Sequence, residues 1–234
     1  MKKNLRLILI ILGIFYSIVS KGQSRDNYNM WFQYLLAAKV SDKSTLTALS
    51  QYRSFDLAYD TRLFLINSYL DYKVSENLKP GIGAMFLILK SYKPDDTKKV
   101  RYEKRPFQQL TIDQSLGKIS LSNRLRIEER FLNNPDDFIV RMRYLISIKI
   151  PFNIKDTKDK FYGIFKNEIR MNIVKDQPFD SNRITAGIGI KTGKNSALEV
   201  AFINQLEIKK TSNYGYIGFR NNFDWRKKET QNHP

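Results

Sequence analysis

The stretch FIVRMRYLISIKI, residues 138–150, decides the fold class. Phe138, Val140, Met142, Tyr144, Ile146, Ile148 and Ile150 occupy every second position, and Ile139, Arg141, Arg143, Leu145, Ser147 and Lys149 the positions between. Successive side chains of a strand point to opposite faces. One face of this segment is therefore wholly apolar, and the other carries three cations.

The pattern extends to both sides. Upstream, Ile119, Leu121, Leu125, Ile127 and Phe131 oppose Ser120, Ser122, Arg124, Arg126, Glu128 and Arg130, with Asn123 and Glu129 as polar interruptions of the apolar face. Downstream, Phe161, Phe165, Ile169, Met171 and Ile173 oppose Tyr162, Ile164, Lys166, Glu168, Arg170 and Asn172. Leu198, Val200, Phe202, Leu206 and Ile208 oppose Glu199, Gln205 and Glu207. Weaker alternation covers about 28–40, 45–55, 61–74, 79–92, 105–117, 182–192 and 214–226, giving eleven candidate strands. Strands of this length exceed the five or six residues usual in soluble sheets and meet the roughly 9–11 needed to cross a bilayer. The expected fold is an all-β antiparallel transmembrane barrel of about ten to twelve strands. Bacterial single-chain barrels have even strand numbers, which favours ten or twelve.

Links alternate in expected length. Those at 41–44, 75–77, around Gly117 and at 193–195 are short, those at 56–60, 93–104, 133–137, 175–181 and 210–213 make up the other set, and 151–160 is long where a short one belongs. Tyr28, Trp31, Tyr34, Tyr52, Tyr69, Tyr72, Phe138, Phe161, Phe223 and Trp225 fall near strand ends, where interfacial girdles place aromatic rings. Ile217, Phe219, Phe223 and Trp225 share one face of the final strand, an ending like that of outer-membrane barrels.

The amino terminus supplies the export route. Lys2, Lys3 and Arg6 precede an apolar run from Leu7 to Val19, and Ser20 and Gly22 follow at positions suited to cleavage before Gln23. Residues 1–22 read as a signal peptide and 23–234 as a single barrel domain; the run is short of the ~20 residues a spanning helix needs. Export through such a signal points to the outer membrane of a Gram-negative bacterium, with the barrel-assembly machinery as a partner during folding. No cysteine is present, so no disulfide framework holds the exported chain.

The whole mature chain resembles a family of uncharacterised bacterial outer-membrane proteins, the domain of unknown function family 2490. The resemblance rests on the strand at Trp31, the turn Val40-Ser41-Asp42-Lys43 and the segment SLSNRLRIEER at 120–130, and covers roughly 28–226. It implies a barrel and its location, and supplies neither a reaction nor catalytic residues.

The residues themselves argue against catalysis. The one histidine is His233, beside the carboxyl-terminal proline, and a Ser-His-Asp triad needs an imidazole fixed in a site. Without cysteine, thiol nucleophiles and the usual zinc-ligand sets are excluded, and no cofactor is expected. Carboxylate pairs remain, but the inward Glu128, Glu168, Glu199 and Glu207 share their face with many cations. Arg124, Arg126, Glu128, Arg130, Arg141, Arg143, Lys166, Glu168 and Arg170 are expected to form a lumenal charge network rather than a reactive pair. Gly81-Ile82-Gly83 and Gly187-Ile188-Gly189 lack the third glycine and helix of a dinucleotide fingerprint and read as wall glycines.

Charge narrows the partners. Of 40 basic and 23 acidic residues, four basic ones lie in 1–22, so the mature chain keeps an excess of 13 positive charges. Export removes it from cytoplasmic nucleic acid. Lys93, Lys98, Lys99, Arg101, Lys104 and Arg105, read as loop residues, are placed to meet lipopolysaccharide phosphates, and outer-membrane lipid covers the wall. Two function classes follow: a non-catalytic structural or surface-binding barrel with a charged, largely plugged lumen, or a small channel for anionic or polar solutes. A third, a His-independent outer-membrane hydrolase, rests on the inward glutamates alone.

Overall fold

A computed structural model describes residues 29–152, 160–173 and 178–226. The segment read as a signal peptide, Tyr28 and His233 lie outside the described residues. Among those described, eleven strands follow one another in chain order: β1 (Met30–Lys39), β2 (Ser44–Ser54), β3 (Thr61–Tyr72), β4 (Leu78–Tyr92), β5 (Lys98–Leu116), β6 (Ile119–Leu132), β7 (Asp137–Pro151), β8 (Phe161–Asn172), β9 (Phe179–Lys191), β10 (Ser196–Leu206) and β11 (Thr211–Asp224). Each pairs with its neighbours in sequence, and β1 pairs with β11 to close the barrel.

The turns explain where the strands stop. Ser41 Oγ accepts hydrogen bonds from the amides of Lys43 and Ser44, tightening the link from β1 to β2. Gly117 takes a positive φ of 60° in the two-residue link from β5 to β6, a conformation that side chains disfavour.

Three expectations change. The strand number is odd, so the ring cannot alternate in direction all the way round. Its seam is parallel, from Met30 opposite Gly215 to Lys39 opposite Asp224. Second, β5 begins at Lys98, not near 105, and pairs with β4 from there onward. Lys98, Lys99, Arg101, Lys104 and Arg105 are wall residues, and Arg105 is buried inside the barrel. Alternation was illegible there because the inward positions Glu103 and Arg105 are as polar as the outward Lys104. With that link reduced to 93–97, the two rims no longer differ consistently in link length. Third, Trp31 and Tyr69 turn inward instead of joining a girdle, Trp31 in a cluster with Ala201, Ile203, Tyr214 and Tyr216 and Tyr69 in edge contact with Phe107.

The alternation read from the sequence is the alternation of the wall. On β7, Phe138, Tyr144 and Ile150 face outward and exposed, whereas Arg141 is buried. The outer surface of the ring is predominantly apolar, with Ile82 66%, Ile188 56% and Val200 49% exposed. A band of large apolar side chains running round every strand far exceeds the patch a water-soluble monomer presents. Lipid covers it, and the protein is a membrane-embedded barrel.

Inside, glycine makes room for rings. A Cβ on Gly189 would meet the Tyr162 ring, and one on Gly83 would meet Phe107 Cζ at 2.7 Å. These wall glycines let aromatic side chains lie flat against the backbone and keep the barrel axis clear.

Candidate functional site

All nine residues of the expected charge network lie on the inner face, on β6, β7 and β8. Cross-strand register brings them together: Glu128 stands opposite Arg141, and Arg126 opposite Arg143; Arg143 in turn stands opposite Arg170. Glu128 is fully buried, 0% exposed, and is the hub. Arg141 donates to it from Nε at 3.0 Å, Arg143 donates from Nη1, and Arg105 Nη1 lies 3.6 Å away. Arg143 also donates to Glu168 at 2.6 Å, and Arg183 and Arg124 approach Glu168 at 3.4 and 3.6 Å. A carboxylate taken out of water is tolerable only with such compensation.

The network is wider than the sequence indicated. On β5, Glu103 accepts from Arg105 Nη2 at 2.8 Å and from Arg130 Nη2 at 3.3 Å. Gln109 accepts from Arg126 Nη2 at 2.6 Å and donates to Asp71 at 2.7 Å. Arg183 donates to Gln205 at 2.7 Å. Asp180 lies 3.5 Å from Arg141 and 3.6 Å from Arg170. Nearer the rim where β7 ends, Glu199 accepts from Lys149 at 2.9 Å and from the Tyr162 hydroxyl at 3.0 Å, with Lys166 at 3.8 Å. The period-two run Glu103, Arg105, Phe107, Gln109 was the missed signal, hidden by assigning its start to a loop.

The adjoining inner wall has different chemistry. Leu63 and Leu65 of β3, Met85 and Leu87 of β4 and Phe107 of β5 form a buried apolar cluster, with Leu49 and Leu89 packed against it. Around the ring, β3 lies five strands from β8 one way and six the other, while β5 contributes to both walls, so the apolar wall adjoins the charged one.

Between them lies a cavity of about 580 Å³ with lining residues from all eleven strands. It touches every inward position of β7 from Arg141 to Lys149, about 26 Å of strand at roughly 3.3 Å per residue. The network is thus a belt against one wall and does not fill the lumen. Twelve basic and four acidic side chains line the cavity. Trp31 lies among them with two guanidiniums against its ring, Arg53 at 3.6 Å and Arg183 at 4.6 Å from the centroid.

At one rim, Asp56 Oδ1 accepts from the amides of Ala58, Tyr59 and Asp60 at 2.9–3.0 Å, which shapes the link from β2 to β3. Asp60 then receives hydrogen bonds from Tyr92 and Lys98. Partial burial pushes the Asp60 carboxyl up, but those two hydrogen bonds outweigh it and hold the group below its ordinary range.

Comparison with known proteins gives a family and a structural neighbour. The profile of the family described as Protein of unknown function (DUF2490) matches residues 28–215. No curated protein matches the chain. Among solved structures it is similar to an anion-selective porin from Comamonas acidovorans, with 16% identity and a TM-score of 0.36; the match covers 76% of this chain and 54% of the porin, so the chain spans about half the porin's length.

Proposed function

Because the chain belongs to the family of proteins of unknown function DUF2490, whose description carries no activity, we propose its role from the lumen: it is a non-catalytic outer-membrane barrel that binds an anionic solute inside. The observation that carries this reading is the twelve-to-four excess of basic over acidic side chains around a 580 Å³ cavity. Guanidiniums removed from bulk water and outnumbering the carboxylates that pair with them attract a mobile anion, and the low-dielectric surroundings strengthen that attraction. The belt narrows the lumen, which favours retention over free flow. Export by the amino-terminal charged and apolar segment supports the outer membrane of a Gram-negative bacterium as the location. Lipid contacts the wall, and lipopolysaccharide phosphates remain candidates for rim cations such as Lys93.

Two measurements test this. Fractionation with a heat-modifiability gel is expected to recover the protein in the outer membrane with different migration before and after boiling; recovery in the soluble periplasm without a shift overturns the location. In planar bilayers the barrel is expected to give little conductance. Steady anion-selective openings would instead establish the second reading, a small channel, which the lengthwise run of the cavity along β7 favours.

A further inference from the structure

The lipid-facing surface is not equally apolar on all sides. On β6, Asn123 lies between Ser122 and Arg124, and on β8, Asn167 lies between Lys166 and Glu168; all four flanking residues line the cavity. On β10, Asn204 lies between Ile203 and Gln205, and on β11, Asn213 lies between Ser212 and Tyr214, all four flanking residues being buried. Neighbours on a strand point to opposite faces, so the four asparagines point outward. Cross-strand register sets them in one row. Asn123 stands opposite Ile146, Ile146 opposite Asn167, Asn167 opposite Ile184, Ile184 opposite Asn204, and Asn204 opposite Asn213. By contrast, the outward positions of β1 to β4 hold no asparagine or glutamine.

The row is only partly satisfied from within the chain. The Tyr144 hydroxyl donates to Asn123 at 3.0 Å, and Asn204 donates to Asn213 at 2.8 Å. At its middle, Asn167 Nδ2 donates to Asn182 Oδ1 at 2.9 Å, and Asn182 is itself outward, between the buried Ser181 and Arg183. A carboxamide has two N–H donors and an oxygen with two lone pairs. That single bond therefore leaves the Asn167 oxygen and the Asn182 NH2 over. Asn167 stands beside Ile146 near mid-strand, where acyl chains neither donate nor accept, and unpaired amides there are costly.

We infer that the outer face of β8 and β9 is a contact surface for a second copy of this chain, with the Asn167–Asn182 pair at the twofold axis. The leftover groups choose the partner, because they are complementary to themselves. Across a twofold axis, Asn182 of each copy donates to Asn167 of the other, which closes a ring of four amides. Interchanging nitrogen and oxygen in both amides reverses every bond and keeps the ring. A twofold contact must be self-complementary in this way. A charged partner would be desolvated against neutral amides without compensation. Strands in such barrels tilt by about 35–45°, so the row runs obliquely up the wall. Two copies inserted the same way up present rows that cross once, and the middle of the row is where both are shared equally. Phe165, Ile184 and Ile188 on the same two strands are 44, 43 and 56% exposed and supply the apolar surround. The inference is independent of what the lumen binds.

The chain has no cysteine, so an introduced thiol is unique. Ile184→Cys, beside the amide pair, and Ile82→Cys, on β4 across the ring, are each made in the full mature chain. Both are refolded into phospholipid vesicles, checked by heat-modifiability, and oxidised. Ile184→Cys is expected to give a disulfide-linked dimer and Ile82→Cys to stay monomeric. Single-molecule photobleaching of the labelled wild-type chain, over a series of protein-to-lipid ratios, is expected to show two-step traces. The double variant Asn167→Leu, Asn182→Leu removes both amides together and is expected to weaken association by at least about tenfold, from the loss of two intermolecular hydrogen bonds in lipid. Single-step bleaching of the wild type at the highest ratio would overturn the contact. Cross-linking through Ile82→Cys in place of Ile184→Cys would put it on the other wall and overturn the site. Undiminished dimer in the double variant would overturn the role of the amides; if that variant does not refold, the two cysteine positions decide by themselves.

Discussion

β4 and β7 are equal in length, fifteen residues each, and turn opposite chemistries inward. β7 presents Arg141, Arg143 and Lys149 to the lumen and apolar side chains to lipid. β4 presents Met85 and Leu87 to the lumen and Ile82 and Phe86 to lipid, so both its faces are apolar. The bilayer constrains only the outer face of such a strand. The inner face is free to vary, and here it divides into a charged wall and a packed apolar wall.

The largest expected effect separates the charged wall from an ordinary wet lumen. Glu128→Gln removes the hub carboxylate and leaves Arg141, Arg143 and Arg105 facing one another. It is expected to cost about 3–5 kcal/mol in urea unfolding from lipid vesicles; a cost below about 1 kcal/mol would mean that solvent already screens the belt. Next, Ile146→Arg on the lipid face of β7 is expected to cost about 2–4 kcal/mol, the depth-dependent penalty near mid-bilayer. On the apolar wall, Leu87→Ala should cost about 2–3 kcal/mol, since the side chain is 2% exposed and packed. Arg143→Gln should cost only about 1–2 kcal/mol, because Glu128 keeps Arg141, and Glu168 keeps Arg183. If Arg143→Gln proved as costly as Glu128→Gln, the cationic excess would not be the governing feature of this wall.

The smallest effect lies at the rim and is read through pH. Asp60 has a depressed value in the folded barrel, so its contact with Tyr92 and Lys98 contributes fully above the ordinary aspartate value of about 3.9 and is lost as pH falls through the lower folded value. The Tyr92 ring resonances should titrate with a midpoint below that of an ordinary aspartate, and Asp60→Asn should abolish the titration. A midpoint at or above the ordinary value would remove the contact from the account.

The same contrast explains what was legible in the sequence. β6, β7 and β8 alternate apolar with charged residues, so their facing and the nine network residues could be read by period alone. β3 and β4 are apolar on both faces over much of their length, so their alternation was weak, and nothing local set Leu65 inward and Ile66 outward. The first third of β5 failed for the opposite reason, having charges on both faces. The odd strand number was legible in the eleven period-two stretches and was set aside only on the even-number rule for bacterial barrels; the parallel seam was beyond any local reading, because it depends on the pairing of residues 185 positions apart, Met30 with Gly215.

That parallel seam also gives the barrel a direction across the bilayer. Asn29, just before β1, accepts a hydrogen bond from the Gly215 amide at one rim, while Arg226, just after β11, pairs with Asp42 in the turn at the other rim. In a ring of even strand number these two positions would share a compartment. Here the membrane lies between them, so epitopes placed beside Asn29 and beside Arg226 would be reached by antibody from opposite sides of the same bilayer.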